Sequence, residues 1–202
     1  GNLAIRADGT DTGLYTLASG AAVDFGAGTR TLAAASNPTG TGAEWKVSGA
    51  AVTLNTGGDA DLLPLTMSAG SLTVVAPQGA AARLGSATVN TATLSSGGEG
   101  LLRIGTLALN GSTLGGSGPV TVTDSLTAGG TGATVTGTGV LTTQGSTSIN
   151  FSTAGGALTL QGGRTWINQG ALTLGGDDQF LFGYANCCSE NTTFTNAASG
   201  TF

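Results

Sequence analysis

The sequence predicts an all-β chain wound as a parallel β-solenoid, with irregular coils of roughly twenty residues and one protruding loop near the C-terminus. Three observations carry that expectation. Short runs alternating an apolar with a small polar residue recur along the 202 residues. Glycine or asparagine closes many of them. Aromatic residues, at 5%, are too scarce to fill the wide gap of a sandwich.

The elements follow in order. Ala51-Val52-Thr53-Leu54-Asn55, Ser71-Leu72-Thr73-Val74 and Thr106-Leu107-Ala108-Leu109-Asn110 are the first clear strands. Val120-Thr121-Val122-Thr123, Ala157-Leu158-Thr159-Leu160 and Ala171-Leu172-Thr173-Leu174 repeat the pattern. A period of two puts Leu and Val on one face and Thr, Ser or Ala on the other, as in a half-buried strand. No useful window carries apolar residues at helical spacing, so helix content should be near zero. Gly156-Ala157-Leu158-Thr159-Leu160 returns as Gly170-Ala171-Leu172-Thr173-Leu174, but other strand-opening glycines are unequally spaced. That excludes a strict short repeat and fits coils with two or three strands and variable corners. One unit, 1–202, is expected, with a less regular half at 1–104 and a more regular half at 105–202.

Composition narrows the function classes. Only 8% of residues are charged, against about 25% in ordinary domains, and mean hydropathy is +0.22, which argues against disorder. Net charge is −5 and the basic residues are dispersed, so nucleic acid is not an expected partner. No run approaches a membrane span, so insertion of this segment is not expected either. The chain has no histidine, which removes Ser-His-Asp and Cys-His catalysis and the commonest zinc ligand. No enzymatic activity, cofactor or metal is expected.

The remaining acids are read as turn residues. Asp177 and Asp178 are neighbours in a Gly-Gly-Asp-Asp turn and lack the separation that glycoside cleavage needs. Asp59 with Asp61, and Asp8 with Asp11, could converge on calcium, yet neither pair sits in a complete ligand series. Trp45 and Trp166 lie in strand-like runs and are read as packing residues, on an outer face or at the end of a ladder.

The strands ending in Asn, then Gly, then another Thr- or Leu-rich strand resemble right-handed β-helical bacterial exoproteins, the filamentous-haemagglutinin-like adhesins and autotransporter passengers. The resemblance is carried by Leu158 to Leu174 and by Thr193 to Phe202. It implies a right-handed coil, a secreted or cell-surface location, and adhesion to glycans or proteins of a host or neighbouring cell. Asn37-Pro38-Thr39-Gly40 departs from the Asn-Pro-Asn-Gly turn of haemagglutinin-like secretion domains, and no such domain is read here.

The segment 177–191 interrupts the monotony with three aromatics and both cysteines. Such bulk has no obvious home in a narrow coil, so a loop leaving the stack is expected. Phe180, Phe182, Tyr184 and Asn186 are the candidate binding residues there. Adjacent Cys187 and Cys188 can pair only as a strained vicinal disulfide, stay as thiols, or bridge to other chains.

Two functions compete: an adhesion or interaction module using reach and the 177–191 loop or an outer strand face, and a structural stalk or fibre repeat associating end to end. A third reading is ice binding by flat threonine arrays, prompted by Thr121-Val122-Thr123, Thr134-Val135-Thr136 and Thr91-Ala92-Thr93. It requires register between successive coils, and the sequence spacing of these triplets is irregular.

Overall fold

A computed structural model describes residues 1–183 and 191–202 of the chain. The alternating runs form strands as their period predicts. In Ser71–Val75, for example, Leu72 and Val74 are buried while Ser71, Thr73 and Val75 are half-exposed. A strand this short cannot bury its apolar side alone, and the chain solves this by stacking parallel copies. The result is an all-β parallel solenoid of about 9 turns, with coils of about 21 residues. Among the described residues the only helical element is a 3₁₀ turn at Ala34–Ser36.

Stacking generates a 13-stranded major sheet, a 9-stranded minor sheet and a two-stranded sheet made by Tyr15–Thr16 and Pro38–Thr39. Inward ladders fill the interior. In the minor sheet Val52, Leu72, Leu94, Leu114 and Val135 lie one above the next. In the major sheet Val47, Met67, Val89, Leu109, Ala128 and Ile149 do the same. All eleven of these side chains are buried.

The major sheet turns a corner. Within the ten-residue strand Ala81–Asn90, Ala82 and Leu84 point inward, and then Ala87 and Val89 do, so the inward phase slips by one residue near Gly85. The same slip occurs near Gly105 in Leu101–Asn110. In the next coil the register shifts between Ile104 and Thr106 against Val120–Gly129. Beyond it the strand divides into Val140–Thr143 and Ser146–Ile149. Each coil in this region therefore has three faces: the minor sheet, the major sheet before the corner, and the major sheet after it.

Corner glycines are required by close approach. A Cβ on Gly105 would overlap the carbonyl oxygen of Gly85 one coil below, and one on Gly170 would overlap that of Gly145. Thr91, with φ of 48°, occupies a corner where the next coil uses Gly111, and it is the only non-glycine residue at positive φ among those described.

Both tryptophans point inward rather than standing on an outer face. Trp45 and Trp166 are fully buried. Room for Trp45 comes from Leu65 and Ala87 above it in the same ladder, and Phe25 meets its ring edge-on at 6.4 Å. Trp166 is anchored by polarity as well, because its indole N–H donates to the Thr143 hydroxyl at 3.0 Å, which in turn donates to Asn168 Oδ1 at 3.0 Å. Sheet pairing runs without a break through residues 1–104 and 105–202, and Leu101–Asn110 straddles that boundary.

Candidate functional site

The outer face of the minor sheet is built by register. Thr29, Ala51, Ser71, Thr93 and Thr113 stand one above another on successive coils, followed by Thr134 and Thr159. Two residues along each strand a second row runs through Thr10, Thr31, Thr53, Thr73, Ser95 and Gly115. Gly115 then abuts the side chain of Thr136. The rows bring together Thr93, Thr134 and Thr136 from the triplets recognised in the sequence, while Thr91 lies at a corner and Thr121 and Thr123 stand on the major sheet.

Hydroxyls recur here because the outward positions of a packed parallel sheet favour β-branched residues that need not be apolar. Among the described residues, the side-chain hydroxyls of Thr53, Ser71, Thr73, Thr93, Thr113, Thr134 and Thr159 bond no other protein group. Between Ala51 and Gln161 no charged side chain stands on this face.

The other two faces differ. Before the corner, the major sheet stacks Asp61, Arg83 and Arg103. Arg83 reaches Asp59 at 3.0 Å and Asp61 at 3.7 Å. Asp59 also accepts the Ala81 N–H at 2.8 Å; that bond and the guanidinium hold its carboxyl below the usual range. After the corner, Asp24, Lys46 and Thr66 open a row that continues through Thr88, Ala108 and Thr127. Here Thr66 donates to Glu44 at 2.7 Å, which lowers the Glu44 carboxyl pKa.

The first part of the expected loop 177–191 is not a loop. Gln179–Phe182 is a strand of the minor sheet, in register with Ala157–Leu160. Phe180 stacks above Leu158 and packs against Trp166 at 5.3 Å and Phe194 at 5.1 Å, partly buried against the hydrophobic core. Bulk is accommodated there because the aromatic rings fill one another's edges. Phe182 sits above Leu160 and is 54% exposed. Tyr184, Asn186, Cys187 and Cys188 lie outside the described residues, and with them the question of the disulfide.

The acidic turn also does more than meet solvent. Asp178 accepts the buried Phe151 N–H at 2.9 Å, and Asp177 accepts the Gly155 N–H at 3.2 Å, so both tie one coil to its predecessor. Asp11 pairs with Arg30 rather than converging with Asp8. The described residues contain no group of three or more potential metal ligands. Sequence reasoning misses the fully buried Arg164. One of its amino groups donates to the Gly116 carbonyl at 2.9 Å, its Nε and Nη2 find no partner among the described residues, and burial lowers its pKa to about 10. No local pattern marks such a residue in advance, because its surroundings come from coils far away in sequence.

No family model, curated protein or solved structure matches the chain. Asp59, Arg83 and Glu99 line a cleft beside the major sheet. Between Ala51 and Gln161 the minor sheet offers a neutral face that bears hydroxyls.

Proposed function

We propose that this chain is a non-enzymatic interaction module of a secreted or cell-surface protein, presenting the outer face of the minor sheet to a partner outside the chain. The observation that supports this most directly is that face: two ladders of Thr and Ser, free of charge and of internal side-chain hydrogen bonds, on a scaffold held rigid by continuous pairing. Hydroxyls left unpaired by their own fold remain available to a ligand at no cost in broken protein contacts. Glycans and proteins of a host or neighbouring cell are the partners that the resemblance to β-helical adhesins implies, although the face itself carries none of the aromatic or arginine anchors such partners use.

The test is a binding panel of glycans, matrix proteins and crystalline solids, screened with the wild type, with Thr93→Lys/Thr113→Lys on the minor sheet, and with Thr121→Lys on the major sheet. A charge buried at a contact is costly, so the minor-sheet variant should bind at least about tenfold more weakly while the other stays near wild type. Absence of binding by the wild type, or equal loss in both variants, contradicts the reading.

A second reading, a structural stalk or fibre repeat, draws support from the last coils, where Leu181, Phe182 and Phe202 are exposed beside the aromatic cluster. It predicts concentration-dependent filaments that Phe182→Ser shortens.

A further inference from the structure

We propose that the outer face of the minor sheet binds ice, its two rows of Thr and Ser ordering water in the repeat of the crystal. The proposal rests on the reading of that face as the interaction surface and names its ligand.

Neighbouring parallel strands lie about 4.7–4.9 Å apart, so hydroxyls in one row recur at that interval along the stack. The two rows are separated by two residues of an extended strand, roughly 6.5–6.8 Å. The oxygen repeats of hexagonal ice along its two principal axes lie within about a tenth of these two spacings, counting the strand geometry as ideal. Serine at position 71 keeps a hydroxyl in the first row. Only Ala51 interrupts that row between Thr29 and Thr159, and only Gly115 interrupts the other between Thr10 and Thr136.

Chemistry then selects among ligands. A surface that recognises proteins concentrates Trp, Tyr and Arg at its centre, and sugar sites stack rings on aromatics. This face has neither among Thr53, Ser71, Thr73, Thr93, Ser95 and Thr113. Charged groups would orient water radially around themselves, and none stands there. Each threonine supplies a hydroxyl that bonds water and a methyl that restricts where that water can sit. Exposed hydroxyls with no protein partner must bond solvent. When they recur on a rigid parallel stack, the bound waters inherit the strand repeat. The face after the corner is a weaker candidate, because Asp24, Glu44 and Lys46 charge its first coils and Thr66 spends its hydroxyl on Glu44.

The experiment measures freezing hysteresis and partition into a slowly growing ice front for the wild type, Thr93→Lys/Thr113→Lys, Thr121→Lys and Thr88→Lys/Thr127→Lys, each checked for an unchanged melting curve. Expected is incorporation of the wild type with faceted crystals, a loss of about tenfold for the minor-sheet pair, and near wild-type behaviour of the other two. A wild type that leaves ice growth unchanged overturns the proposal, as does loss confined to the Thr88/Thr127 pair. If ice growth is unchanged but Thr93→Lys/Thr113→Lys abolishes binding to another member of the panel, the interaction face stands and ice is the wrong ligand. If that pair instead abolishes self-association in sedimentation, the face joins two copies of the chain and the ice proposal falls.

Discussion

At the level of single residues, sequence neighbours mislead where the fold works between coils. Asp177 and Asp178 read as a solvated turn, because adjacent carboxylates in a Gly-rich segment have no evident local partner. The stack supplies one for each, on the coil below, and Asp178 is the more buried of the two. Removing it strands the buried N–H of Phe151, and an unsatisfied buried donor costs about 1–3 kcal/mol. Asp178→Ala should therefore lose about that much stability in urea unfolding, while the exposed Asp177→Ala stays within about 0.5 kcal/mol of wild type. Equal effects would mean that the Asp178 bond contributes nothing. Phe180, a candidate from its aromatic character, stands above Leu158 and is partly buried against Trp166 and Phe194.

At the level of elements, alternation made the strands of the minor sheet legible: Ala51–Asn55 and Ser71–Val75 stand where the Leu/Val and Thr/Ser periods place them. The ten-residue strands of the major sheet were harder to see. Only Thr106 to Asn110 of Leu101–Asn110 alternates cleanly, because the phase slip near Gly105 breaks the period. The corner that causes the slip makes a sharp prediction. Gly85 has open space where a Cβ would go, but a Cβ on Gly105 would meet the Gly85 carbonyl. Gly85→Ala should be neutral or stabilising by up to about 1 kcal/mol through the unfolded chain. Gly105→Ala should cost about 1–3 kcal/mol through overpacking, read from thermal or urea unfolding. Matching effects of the two substitutions would rule out the close approach of these coils.

For the whole molecule, the solenoid architecture followed from scarce aromatics, abundant glycine and short alternating runs, since a narrow interior needs small and branched side chains rather than rings. The hydroxyl rows did not follow. In sequence, Thr93 is separated from Thr113, and Thr134 from Thr159, by unequal intervals, and the corners absorb the difference while the strands stay in register. Residues 184–190, with the candidate positions Tyr184 and Asn186, lie outside the described residues, and the proposed hydroxyl face rests on the strand register. Spin labels at positions 53 and 136, with both native cysteines replaced by serine, measure it in one distance. Thr53 and Thr136 are far apart in sequence but four strand steps apart along the second row, which places their Cα atoms about 19 Å from each other. A narrow distribution around that distance, widened by the label linkers, is the predicted result. A separation beyond about 30 Å, more than six strand spacings, would show that the two hydroxyls do not share a face and would contradict the account.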